Sequence, residues 1–179
     1  MTFNNIFLTG EVHIGKSTAI NKFIETYIPS AISISGFKTK PCYENGFLCG
    51  YYIESQIQSM ICNISENLVG INADTYKGKR CYGIPEVFDC KGVEILRESL
   101  RIPKSFIIMD ELGFFERDAM RFRAQVHKAL DSKHKVLGVL KEKTNDFLSS
   151  IESRPDVKVI RVTLENRDNI IDEINKYWE

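Results

Sequence analysis

A chain of 179 residues, 43% of them apolar and 27% charged, is long enough to bury one full hydrophobic core. Lysine plus arginine equals aspartate plus glutamate, at 24 each, so no net field draws the protein to nucleic acid or to an anionic membrane. No apolar run approaches the ~20 residues of a bilayer-spanning helix, and the first residues lack the basic region and apolar core of a secretion signal, so the expected compartment is the cytoplasm.

From the amino end, Ile6-Phe7-Leu8 is a short apolar run suited to a buried strand. It leads into Gly10-Glu11-Val12-His13-Ile14-Gly15-Lys16-Ser17, followed by Thr18. Ile20, Phe23, Ile24, Tyr27 and Ile28 then recur at helical spacing. Strand, glycine-bounded loop and helix, in that order, form the context that the phosphate-binding pattern G-x-x-x-x-G-K-[ST] (Walker A) requires. Gly10 and Gly15 permit backbone conformations that a Cβ would block. The loop's N–H groups, Gly10 through Thr18, then face one concavity at a helix N-terminus, where an anion is stabilised. Lys16 is placed to reach the β- and γ-phosphates, and the Ser17 hydroxyl to join the shell of a Mg²⁺ ion. His13 either contacts phosphate or covers the loop.

Beyond Pro29, Ala31-Ile32-Ser33-Ile34-Ser35 alternates like a strand. Asn45-Gly46 predicts a two-residue hairpin turn that sets 44 opposite 47, 43 opposite 48, and Cys42 opposite Cys49. Such a hydrogen-bonded pair has Cα atoms ~5.5 Å apart, within disulfide reach, although a cytosolic setting favours reduced thiols. The five cysteines, at 42, 49, 62, 81 and 90, include no C-x-x-C pair and give no zinc or redox signature. Residues 57–64 read as a further strand, and 70–88 as loops and short strands. The whole of 31–85 therefore reads as antiparallel strands added to a sheet.

Asp89 is a candidate cap for a helix carrying Val93, Ile95, Leu96 and Leu100, which Pro103 ends. Ser105-Phe106-Ile107-Ile108-Met109 is the nearly continuous apolar run of a central parallel strand, and it ends in Asp110-Glu111. Residues 116–130 predict a helix with Ala119, Phe122, Val126, Ala129 and Leu130 inward and Arg117, Arg121, Arg123 and Lys128 on a solvated face. Val136 to Leu140 is another buried strand, Phe147, Leu148 and Ile151 mark a short helix, and Val157 to Val162 is the last strand. Ile170, Ile171, Ile174 and Trp178 stripe the closing helix. This alternation predicts a single α/β domain, 1–179, with right-handed crossovers.

A phosphate loop needs a metal partner, which in P-loop proteins is an Asp at the end of an apolar strand (Walker B). Asp110 has that setting, with Ser17 as the other metal ligand. Glu111, directed differently, is placed to deprotonate an attacking water. Two adjacent carboxylates need compensation, which Mg²⁺ and the Lys16 ammonium would supply. Asp110-Glu111-Leu112-Gly113 also satisfies the D-x-x-G of switch GTPases and makes Gly113 a nucleotide-binding candidate. The N-K-x-D segment that confers guanine selectivity is missing, since Asn175-Lys176-Tyr177-Trp178 lacks the Asp.

Four stretches together resemble the small P-loop nucleoside-triphosphatases of thermophiles and of vertebrates, where the relative is the cancer-related nucleoside-triphosphatase. They are Phe7-Leu8-Thr9-Gly10 with Gly15-Lys16-Ser17, then Gly36-Phe37-Lys38-Thr39, then Asp110-Glu111-Leu112-Gly113 with Glu116 and Phe122, and last Val157-Lys158-Val159 leading to Glu165-Asn166-Arg167. The resemblance implies a RecA-like, mostly parallel sheet flanked by helices, and Mg²⁺-dependent hydrolysis of ATP, GTP and other triphosphates to the diphosphate. It makes Lys16 and Ser17 ligands of phosphate and metal, Asp110 the metal's support and Glu111 the activator of water. The family usually carries prolines and a further glycine where Glu11, Val12 and His13 stand, so Glu11 is expected to point away from the phosphates. It also tends to have a G-T-I-P-like stretch where this chain has Gly138-Val139-Leu140-Lys141. Arg167, expected to open the last helix, is a candidate either for meeting charge on the γ-phosphate or for a structural salt bridge. Hydrolysis is the leading reading, with a small nucleotide or nucleoside kinase and a slowly hydrolysing regulatory switch as alternatives. The sequence leaves base preference and oligomeric state open.

Overall fold

The computed structural model describes residues 3–75, 78–142 and 145–178. Eight strands form one sheet: β1 (Asn5–Thr9), β2 (Ile34–Glu44), β3 (Phe47–Ser55), β4 (Leu68–Thr75), β5 (Gly78–Gly83), β6 (Phe106–Leu112), β7 (Val136–Leu140) and β8 (Val157–Arg161). Their order is β5-β4-β3-β2-β6-β7-β1-β8. From β2 to β8 neighbouring strands run parallel, and from β2 to β5 they run antiparallel. The expected RecA-like parallel sheet with added antiparallel strands is thus what the chain forms.

Helices α1 (Lys16–Tyr27) and α6 (Ile170–Trp178) lie against one face. Ile20, Phe23 and Ile174 pack there with Ile6, Leu8 and Ile108 from the strands. The other face is covered by α3 (Val93–Arg101), α4 (Met120–Leu130) and α5 (Asp146–Glu152) over Phe7, Ile107 and Met109. A short α2 (Pro85–Val87) and a π-helical turn, Phe88–Gly92, run straight into α3. Because β1, β6 and β7 are covered on both sides, alternate residues feed two cores, and the strands read as unbroken apolar runs.

Gly36 lets β2 lie close to β6. Its φ is 88°, and a Cβ there would sit 2.0 Å from the Ile108 carbonyl oxygen. Its N–H donates to the Ser99 hydroxyl at 2.9 Å, and the Ser99 carbonyl accepts from the Ser105 hydroxyl at 3.0 Å. This buried serine cluster fixes β2 against β6, which is how Lys38 comes to stand opposite Asp110.

Six expectations are corrected. The Asn45-Gly46 turn forms, with φ of 49° and 82°, and 44 opposes 47 and 43 opposes 48. A bulge then sets Cys42 opposite Gly50 and leaves Cys49 unpaired in the register; both cysteines are free thiols. Residues 57–64 are turns and loop with Ile61 fully in solvent, because the alternation there lacks a strand neighbour to pair with. The strand expected at 31–35 begins only at Ile34, and it continues unbroken to Glu44. Asp89 does not cap its own helix: its carboxylate accepts the Phe122 N–H at 2.8 Å and so caps α4 from a distance, that helix starting at Met120 instead of 116. The closing helix begins at Ile170, which leaves Arg167 on the turns before it.

Candidate active site

The site lies at the carboxyl ends of the parallel strands, where ligands gather in open α/β sheets. The loop between β1 and α1 turns through Gly10, with φ of 134°, and Gly15, with φ of 106°. A Cβ on Gly10 would lie 2.6 Å from the Val162 carbonyl oxygen, so only glycine brings the loop this close to β8. Gly15 precedes α1 with no side-chain cap and no acid in the first turn. The positive end of the helix and its first N–H groups are therefore left for an outside anion. Glu11, Val12 and His13 are exposed, His13 with φ of 65°, while Ile14 is partly buried against the α1 core. The Glu11 side chain is thus in solvent.

Lys16 is the buried cation of this loop. Its ammonium donates to the Gly10 and Glu11 carbonyl oxygens at 2.7 and 2.6 Å, bending back over the loop. Burial lowers its pKa, and the carboxylates of Glu111, Glu142 and Asp110 oppose that shift. Lys16 and both candidate acids therefore share one electrostatic neighbourhood. Asp110, 7% exposed, ends the buried part of β6, and Ser17 donates its hydroxyl proton to it at 3.1 Å. Burial raises the Asp110 pKa, while the Ser17 hydrogen bond, Lys38 and Lys16 pull the other way. Thr18 follows Ser17 on the exposed side of the first turn.

Glu111 takes a different direction and pairs with Lys141, Oε1 to Nζ at 2.9 Å, both side chains about a third exposed. Lys141 stands one residue beyond β7, and the Glu111–Lys141 pair supplies a countercharge that the expectation of Mg²⁺ and Lys16 alone had missed. Only the position after an apolar strand hinted at it. Lys38, within the Gly36-Phe37-Lys38-Thr39 stretch, donates its ammonium to Asn21 of α1 at 2.6 Å, bridging β2 to the loop helix beside Asp110. Glu116, also in the motif stretch, has a role the motif did not show. It is 1% exposed, it accepts the Gly113 N–H, and burial lifts its pKa to about 7 against that hydrogen bond. Gly113 also gives its carbonyl oxygen to the Asn145 amide at 2.8 Å, so both its backbone groups are spent inside the protein. Arg167 is not drawn into the cluster: its half-exposed guanidinium pairs loosely with Asp168, at 3.8 Å.

A buried carboxylate, Asp110, bonded to the exposed Ser17 hydroxyl offers two oxygen donors that suit a hard divalent cation taking its remaining ligands from phosphate and water. Among the described residues, no group of three or more His, Cys, Asp or Glu forms an all-protein metal site. No described helix is long and apolar enough to cross a membrane.

A glycine-bounded loop on an uncapped helix, with a Ser–Asp pair one strand away across β7, defines a P-loop protein of the class that handles nucleoside triphosphates. Residues 5–175 match the family model described as NTPase, and the chain belongs to that family. It is 31% identical to the cancer-related nucleoside-triphosphatase homolog of Bos taurus, over 95% of this chain and 94% of that protein. It is 30% identical to the nucleoside-triphosphatase THEP1 of Thermotoga petrophila, over 94% of this chain and 89% of that one. In fold it is similar to the crystal structure of THEP1 from Aquifex aeolicus, with TM-score 0.69, 22% identity, and 98% and 99% of the two chains covered. The solution structure of a human cancer-related nucleoside triphosphatase gives TM-score 0.71 at 24% identity, covering 96% of this chain and 95% of that one. The resemblance read from the four motifs is borne out.

Proposed function

We propose that the protein is a Mg²⁺-dependent nucleoside-triphosphate phosphohydrolase that converts NTP and water to NDP and phosphate, acting on ATP, GTP and other triphosphates. The observation that carries this reading is the convergence of Lys16, the Ser17–Asp110 hydrogen bond and Glu111 on one end of the sheet. The kinship with proteins named nucleoside-triphosphatases supports it.

In this reading the loop amides and Lys16 hold the β- and γ-phosphates, the ammonium leaving the Gly10 and Glu11 carbonyls to do so. Ser17 and Asp110 are the residues that hold Mg²⁺, which supplies charge neutralisation along the phosphates when bound. Glu111, its orientation fixed by Lys141, takes a proton from water as that water attacks the γ-phosphorus. The bond from the γ-phosphorus to the β-phosphate oxygen breaks and NDP leaves. Glu116 shapes the turn after Glu111 by tying down the Gly113 amide. Arg167 stays outside the proposed machinery.

The test is phosphate release from ATP, GTP, CTP and UTP, with Mg²⁺ and with excess chelator, in the presence of a panel of nucleosides. Free phosphate in step with NDP, abolished by chelation, is the expected result. Transfer of the phosphoryl group to a nucleoside in place of free phosphate would overturn hydrolysis as the principal reaction.

A further inference from the structure

Among the described residues, three buried polar side-chain atoms find no hydrogen-bond partner: Asn5 Oδ1, Thr39 Oγ1 and Trp178 Nε1. Asn5 opens β1, and Trp178 packs edge-on against Phe106, which opens β6, so both lie at the amino ends of the parallel strands. Thr39 is the one at the carboxyl ends, beside the candidate acids. Lys38 stands opposite Asp110 in the β2–β6 pairing, and Thr39 and Glu111 are the next residue on each strand. A hydroxyl taken out of water without a partner costs free energy that valine, of the same shape, would avoid. Packing alone therefore does not account for a hydroxyl here.

Strand alternation gives the side from which Thr39 approaches. Phe37, two residues before it, packs on Phe122 of α4, and Ile53, its partner on β3, belongs to the same core. Lys38 takes the other side, to Asn21 of α1. Thr39 thus reaches Glu111 from the α4 face, whereas the phosphate loop leads into α1 on the opposite face. A cavity of about 10 Å³ has Thr39, Glu111, Glu116 and Lys141 in its wall. That is room for about one water molecule, and the Thr39 hydroxyl, the Glu111 carboxylate and the Lys141 ammonium give such a water three polar neighbours.

Glu111 has the capacity for a second hold. A carboxylate offers about four lone-pair sites, and the Lys141 ammonium occupies one of them, on Oε1 at 2.9 Å. A lysine, with rotatable donors on a flexible stem, balances its partner's charge better than it fixes its direction.

We propose that Thr39 is a positioning residue for hydrolysis: through one water in this cavity, its hydroxyl holds the Glu111 carboxylate from the side away from the phosphates and keeps it aimed at the attacking water. The proposal rests on the reading of Glu111 as the group that takes the proton. Thr39 itself touches neither nucleotide nor metal.

The experiment measures kcat and KM for Mg²⁺·ATP in Thr39→Val, Thr39→Ser, Glu111→Gln and the Thr39→Val, Glu111→Gln double variant, with urea midpoints as the check on folding. Glu111→Gln is read first, and an unchanged rate there overturns the base and this role for Thr39 together. The expected result is kcat lowered about tenfold in Thr39→Val, as for one lost hydrogen bond to a charged group, at unchanged KM. Thr39→Ser, which keeps the hydroxyl, should restore most of that rate, and Thr39→Val should cost less than about twofold once Glu111 is Gln. With Glu111→Gln slow, four results would each overturn the proposal alone: kcat unchanged in Thr39→Val, Thr39→Ser as slow as Thr39→Val, a rise in KM in place of the fall in kcat, or the same loss with and without Glu111. Should Thr39→Val fail to fold, Thr39→Ala set against Thr39→Ser puts the same question.

Discussion

The two halves of the sheet obey different rules. In the parallel half, β1, β6 and β7 are buried almost end to end, and each strand feeds both cores. In the antiparallel half, β3 is mostly half-exposed and the outer end of β2 is open to solvent. β2 belongs to both. Ile34 to Lys38 pair with β6, whereas Thr39 to Glu44 run on with β3 alone. The candidate acid Asp110 lies at this seam, opposite Lys38. A strand covered on both faces is rigid enough to hold a carboxylate in place, while a hairpin open on one face is free to shape a cavity.

That contrast can be broken by substitution. Leu8→Ala, in the doubly covered half, is expected to cost about 2–5 kcal/mol, whereas Tyr82→Ala on the open hairpin should cost less than about 1 kcal/mol. Urea denaturation of the two variants checks both, and equal losses would dissolve the distinction.

Glu116 sharpens the comparison at the turn that joins the halves. Its carboxyl is raised from about 4.5 to about 7, so the folded protein holds that proton more firmly than the unfolded chain does. Its contribution to stability is complete below the unfolded value and is lost as pH rises towards 7 and beyond, to the extent of roughly 3 kcal/mol. In Glu116→Gln, which keeps an acceptor for the Gly113 amide, that part of the slope between pH 4.5 and 7 should vanish. An identical pH dependence in the two proteins would mean that Glu116 is not buried as a neutral acid. Smaller again is Lys16→Ala, which removes a charged hydrogen bond and is expected to weaken binding of the ATP analogue by about 1.5–3 kcal/mol, read by calorimetry at fixed Mg²⁺.

The parallel half was largely legible in the amino acids, because double burial demands unbroken apolar runs and those at 6–8, 105–109 and 136–140 have no other economical explanation. The loop motif placed Lys16, Ser17 and Asp110 near one another for the same reason, since its position between strand and helix fixes which edge of the sheet it occupies. The antiparallel half was legible only where a turn dictated geometry. Asn45-Gly46 gave the turn and the first two pairs, but the bulge that displaces Cys49 depends on the neighbouring strand β4 and leaves no local mark. The roles of Lys141 and Asp89 were not legible because each acts across space, Lys141 on Glu111 thirty residues away and Asp89 on the start of a helix thirty-three residues on, whereas Glu116 acts locally on Gly113 and only the burial of its carboxyl went unread. Only tertiary packing reveals such partners.

The central claim, that the loop and the acidic end of β6 serve one triphosphate, is tested most directly by Glu111→Gln in single-turnover hydrolysis of Mg²⁺·ATP alongside a binding titration. The account predicts a rate lowered by about 10²–10⁴-fold with affinity for the ATP analogue close to that of the unaltered protein. Hydrolysis at the unaltered rate would contradict it.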